Sequence, residues 1–244
     1  MDSKSPQSTT KEKSKPNETT NKFMVLKSDY FIQKIFDYMK KRISIKIIKC
    51  NINIQKRLNI NINNYKDFSE KFSSIELEII PSQTKYGRFI KIEEENKKYF
   101  HIYFNDNREE IKKTELKKEN NVSKINIIID YQINSFSELF SYCQCIESIN
   151  FTKFYRNNIT DMSYMFAQCR SLQKINLNNF NTENVTYMVG MFIGCELLNE
   201  LNLKKFNINK VTNMVYMLYR CSEELKKKIK ERYKDISEKA FDTY

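Results

Sequence analysis

The chain has 244 residues, 40% hydrophobic and 30% charged, with 42 basic against 30 acidic side chains and a net charge of +12. That length can bury a core in one or two domains, and no run of about 18 apolar residues is present to span a bilayer. The three glycines, Gly87, Gly190 and Gly194, build no phosphate-cradling loop, and the single histidine, His101, excludes HExxH and multi-histidine metal sites.

Residues 1–22 hold Ser, Thr, Lys, Pro6 and Pro16 and almost nothing apolar. Such a stretch cannot offset its ordering entropy, so a disordered leader is expected there. It has no apolar stretch of the secretory type, so a cytoplasmic location is expected. Residues 23–64 read as a helical segment. Phe31, Ile32, Ile35, Phe36 and Met39 share one helical face. Helix is expected to about Arg57, then an extended piece. Residues 38–66 carry eight Lys/Arg and no acid.

Residues 65–132 read as a small mixed α/β unit. Strands are expected at Ile75–Ile80, ended by Pro81, and at Arg88–Ile92, Tyr99–Phe104 and Lys124–Asp130. Residues 65–72 suggest a short helix, and Arg108–Asn121 a surface loop or helix.

From residue 133 the chain repeats every 26 residues. Phe140, Phe166, Phe192 and Leu218 mark one register, and Cys143, Cys169, Cys195 and Cys221 a second. Ile133, Ile159, Val185 and Val211 mark a third, while Met162, Met188, Met214 and Met165, Met191, Met217 add two more. Each unit also carries an LxxLxLxxF pattern: Ile146 to Phe154, Leu172 to Phe180 and Leu198 to Phe206. At residues 133–221 this spacing predicts a short leucine-rich-repeat solenoid, with a strand at each central xLxL. Over residues 222–244, Leu225, Ile229, Tyr233, Ile236 and Ala240 predict an amphipathic capping helix that starts at Ser222. The fold class expected for the whole chain is therefore α+β: helical N-terminal segment, mixed unit, solenoid and C-terminal cap.

The stretches Asn158 to Leu172 and Asn184 to Leu198 resemble BspA-type leucine-rich repeats, with the signature NVTDMSxMFxGCxSLxxLxLxxFNT. The resemblance spans roughly residues 133–224. It implies a non-enzymatic protein, and members of that family are often surface or adhesion proteins of microbes. This chain has few repeats by comparison, and its first copy lacks both methionines. Residues 28–58 also resemble an F-box loosely, through Ile32, Ile35, Phe36 and Met39. That resemblance implies a substrate adaptor of a ubiquitin ligase.

Cysteines one repeat apart form a line, which cannot surround a zinc ion tetrahedrally. They read as a buried structural ladder. The methionine pairs read as core. No metal and no cofactor is expected, nor is catalysis. If the repeat leucines point inward, the alternating positions point out to a concave binding face. These are Ser148, Asn150 and Thr152, then Lys174, Asn176 and Asn178, then Glu200, Asn202 and Lys204. A protein partner is expected there, its identity and the oligomeric state being unreadable. A second candidate is a basic patch of Lys40, Lys41, Arg42, Lys46, Lys49, Lys56 and Arg57. Without aromatic side chains interleaved for base stacking, it argues against nucleic acid. Three functions follow: an interaction module on the repeat face, an F-box-like adaptor, and a surface or adhesion protein.

Overall fold

A computed structural model describes residues 32–34, 51–59, 63, 66 and 70–241. The chain divides into two compact units, residues 1–65 and 66–244. In the first, helix α1 spans Ile52–Arg57, with the Asn51 side chain accepting from the N–H groups of Asn53 and Ile54. This is the expected N-cap chemistry of asparagine. Most of the expected helical segment, the F-box-like stretch and the leader lies outside the described residues.

The second unit is built on one five-stranded mixed sheet. Its strands are β1 (Ile75–Pro81), β3 (Phe100–Phe104), β5 (Ile125–Ile129), β6 (Ile146–Lys153) and β7 (Lys174–Asn176), in the order β3-β5-β1-β6-β7. β1 pairs antiparallel with both β5 and β6, β3 antiparallel with β5, and β6 parallel with β7. A small ribbon joins β2 (Gly87–Arg88) to β4 (Glu115–Leu116). The strands alternate as their sequences dictate. Ile75, Leu77 and Ile79 of β1 and Ile125, Ile127 and Ile129 of β5 are buried, while the residues between them are half-buried. Of the expected strand at Arg88–Ile92, only Arg88 is in a strand, as the second residue of β2.

After β6 the 26-residue period reappears as a ladder of turns. Parallel bridges join Ser135 to Asp161, Asp161 to Tyr187 and Tyr187 to Asn213. The N–H groups of Phe140, Phe166 and Phe192 donate to the carbonyls of Met165, Met191 and Met217. Left-handed backbone recurs at the same spacing: Glu138, Tyr164, Gly190 and Tyr216, then Tyr142, Gln168, Gly194 and Arg220. Phe140, Phe166 and Phe192 stack face to face, with centroids 5.5 and 5.4 Å apart. At the end of the chain, the carbonyls of Lys239 and Ala240 accept from Tyr216 and Leu218. A single turn thus closes the ladder where no further copy follows.

The expected architecture needs correction. The described chain is mainly a mixed sheet with little helix, and no leucine-rich-repeat solenoid forms. Such a solenoid needs every copy to add a strand. Here the first copy gives eight residues of strand, the second three, and the third none. Asparagine side chains explain the loss. Oδ1 of Asn176 accepts from the N–H of Asn178, and Oδ1 of Asn202 from that of Lys204. The Leu203 N–H is taken by the Tyr233 hydroxyl. Each bond withdraws a backbone donor from the sheet ladder.

The capping helix is also shorter than its periodicity predicts. Helix α2 runs over Glu223–Arg232, and Ser222 caps it as expected by accepting from the Leu225 N–H. It is the one α-helix longer than six residues among those described.

Arg156 is the exception in the core. It has no exposed surface. Its Nη1 donates to the Asp130 carbonyl at 3.1 Å, while Nε and Nη2 have no partner. Burial pulls its pKa down to about 10, against the pull of Asp130.

Two substitutions test this packing in denaturant unfolding. Phe166→Ala removes the middle ring of the stack and should cost about 3–5 kcal/mol. Arg156→Met removes a buried, half-satisfied cation and should leave stability unchanged or raise it by about 1–4 kcal/mol. The Asp130 carbonyl keeps the Ile133 N–H as a partner in that variant.

Candidate functional site

The outward face of the five-stranded sheet carries the polar half of every strand. Register places Tyr103 opposite Asn126, Asn126 opposite Glu78, Glu78 opposite Asn150, and Asn150 opposite Asn176. One polar row therefore crosses all five strands. Cross-strand neighbours of this kind lie about 4.5–5.5 Å apart at Cβ. The row is a connected surface of roughly four strand spacings. Within it, Asn176 Nδ2 donates to Asn150 Oδ1 at 2.8 Å, and Asn126 Nδ2 donates to Asp106 Oδ1 at 3.2 Å.

A second row runs His101, Ile128, Glu76 and Lys153. Lys153 meets Glu76 at 2.7 Å. The His101 ring lies between Glu110, 3.3 Å from Nδ1, and Asp130, 3.5 Å from Nε2. Lys124 at the end of the face reaches Asp106 at 2.6 Å and Glu78 at 3.8 Å. The Lys124 hydrogen bond holds the Asp106 carboxyl below its usual range, and Asp106 in turn raises the Lys124 ammonium. Glu110 is likewise held low, by Lys112 first and by His101 after it. The charges of this face are therefore largely neutralised within it, and its outward chemistry is hydrogen bonding.

The expected binding residues divide across this surface. Ser148 and Asn150 on β6, and Lys174 and Asn176 on β7, lie on the outward face. Thr152, also on β6 and exposed, donates from Oγ1 to the Glu76 carbonyl. Asn178, Glu200, Asn202 and Lys204 are exposed but belong to no strand. The expected uniform row of Asn150, Asn176 and Asn202 breaks at its third member. Asn202 instead approaches Asn178 at 3.5 Å and accepts from the Tyr233 hydroxyl. Reasoning from the repeats alone missed Tyr103, Asn126 and Glu78. Their signal was the alternation of IELEII, FHIYF and INIII, which places these residues opposite the buried isoleucines and phenylalanine.

Of the basic patch, Lys56 and Arg57 stand in the last turn of α1. Lys40, Lys41, Arg42, Lys46 and Lys49 lie outside the described residues.

The cysteines occupy the inner side of the turn ladder. Cys143, Cys145, Cys169, Cys195 and Cys221 are buried and unpaired. The thiols of Cys169, Cys195 and Cys221 donate to the carbonyls of Phe140, Phe166 and Phe192 at 2.9, 3.1 and 3.1 Å. Each cysteine thus serves as a small apolar side chain that also supplies a donor. Burial pushes the Cys145 thiol up to about 11 and Cys221 to about 12, and drives the other three upward as well. Met162, Met165, Met188, Met191 and Met217 are buried beside them. Among the described residues, no group of three or more His, Cys, Asp or Glu side chains could hold a metal ion, and no helix is long and apolar enough to cross a membrane.

Residues 134–239 match a family described as "Mycoplasma protein of unknown function, DUF285". The match covers most of the stretch that resembles BspA-type repeats, and less than half of the chain. No curated protein and no solved structure matches.

Because a thiolate is the reactive form, the five buried thiols should resist alkylation in the native state at pH 8 and all react in denaturant. Counting labelled cysteines by mass spectrometry in a Cys50→Ser chain tests this. Labelling of any of the five in the native protein contradicts the ladder.

Proposed function

We propose that this chain is a non-catalytic protein-interaction module that takes a protein partner on the outward face of its five-stranded sheet. The observation that carries this reading is the polar row Tyr103, Asn126, Glu78, Asn150 and Asn176, continuous across all five strands. Its amides and hydroxyl offer both donors and acceptors at fixed spacing on a rigid support. An aromatic side chain among adaptable polar groups is the composition of many protein-recognition surfaces. The resemblance of residues 134–239 to a family of Mycoplasma proteins is compatible with this reading and names no partner.

The pattern of charge sharpens the proposal. The chain is strongly basic overall, yet Lys124 and Lys153, the lysines nearest the row, are paired with carboxylates, and only Lys174 at the β7 edge stands without one among the described residues. Binding through the row should therefore depend only shallowly on salt, unlike binding driven by net charge.

The test is affinity purification with mass spectrometry from the protein's own cells. The wild-type chain is compared with a Tyr103→Ala, Asn126→Lys, Asn150→Lys variant at low and at moderate salt. The substitutions lie on the solvent side of the sheet and should change stability little. The partner should be recovered by the wild type at both salt concentrations and lost by the variant. Equal recovery by the two chains, or loss of the partner from the wild type at moderate salt, overturns the reading.

A further inference from the structure

The last copy of the 26-residue pattern is left without the cover its predecessors have. Phe154 and Phe180 are 1% and 3% exposed, and each is packed against the next phenylalanine. Phe206, at the third equivalent position, is only half-buried. Met162 and Met188 are fully buried, whereas Met214 is again half-buried. The chain following Cys221 forms α2 in place of a fourth strand segment, and it buries Leu225 and Ile229. The helix stops at Arg232, and Tyr233 leaves it with its hydroxyl held by Leu203 and Asn202. Between the third copy and residues 232–236 this leaves a cleft of about 380 Å³.

The cleft has a two-part lining. Half-buried Phe206, Met214 and Ile236 make its apolar surface, with the buried Met188 and Met217 beneath them. Lys204, Arg232 and Lys234 stand on the rim, with Asp235 the one acid beside them. In the same segment Lys226 is neutralised by Glu223, Lys228 by Glu224 and Lys230 by Glu238. The three rim cations have no ion-pair partner among the described residues. The volume lies within the range of small-molecule sites, about 300–1,000 Å³. Methionine side chains suit a flexible apolar guest, because the thioether adapts to irregular shapes.

We propose that this cleft binds a single-chain anionic amphiphile, its alkyl tail on Met214, Phe206 and Ile236 and its carboxylate or phosphate head among Lys204, Arg232 and Lys234. The alkyl chain supplies the cover that a fourth copy would have given to Phe206 and Met214. The head group meets three cations that converge on one cleft without an ion-pair partner among the described residues. This site is separate from the sheet face and does not depend on the partner proposed for it.

Isothermal titration of the full chain tests the proposal with three probes: dodecanoate and dodecyl phosphate, each kept below its micelle concentration, and dodecanol, kept below its solubility limit. At least one of the two anions should bind saturably at one per chain, and dodecanol about tenfold or more weaker. The stronger of the two anions identifies the head group. Ile208→Trp fills the cleft from its wall and should abolish binding. Arg232→Glu with Lys234→Glu should weaken it about tenfold or more, with the melting temperature unchanged. The proposal is overturned if no probe saturates, if dodecanol binds as well as the anions, or if both variants bind like wild type. A dimer in sedimentation that Ile208→Trp dissolves, without any amphiphile binding, would give the cleft to a second copy and equally overturn it.

Discussion

The structure depends on a backbone constraint at one residue type. Phe140, Phe166 and Phe192 are fully buried, so their N–H and carbonyl groups must find partners away from water. Each N–H donates to a methionine carbonyl about one period later, and each carbonyl accepts a cysteine thiol from the following copy. One copy is therefore unsatisfied without the next. That gives the recurring cysteine its role, and explains why the final copy borrows the carbonyls of Lys239 and Ala240 to close the series.

This constraint acts on the turns and leaves the strands free to differ. β6 is long because antiparallel β1 lies against it on one side and parallel β7 on the other. β7 has only β6, and the third copy adds no strand to its open edge. The sheet then grows the other way, through β1 to β5 and β3. The wide polar surface falls on those strands for this reason, and the uncovered apolar floor falls at the opposite end.

Much of the interior was legible in the chain. The burial of the cysteine and methionine registers follows from their spacing. The Ser222 cap, the start of α2 and the strands near Ile75, Phe100 and Ile125 follow from local chemistry. The binding surface was legible only in part. Asn150 and Asn176 were found through the repeat, but Tyr103, Asn126 and Glu78 come from strands far away in sequence. The third-copy strand was expected from its leucines and does not form, because Asn202 and Tyr233 take backbone donors that a strand would need.

What the sequence alone determined is periodic or local: the 26-residue turn ladder, the alternation of each strand and the helix cap. These depend on spacing and on neighbours within a few residues. Only the tertiary structure decided that β1 lies between β5 and β6, and so which polar residues share one row. Strand pairing across about 70 residues is chosen by the fit of whole faces, since every alternating strand offers much the same edge. The cleft was decided in the same way. It exists because a helix replaced a strand at the end of the ladder, and the apolar positions beneath could not tell in advance what would cover them.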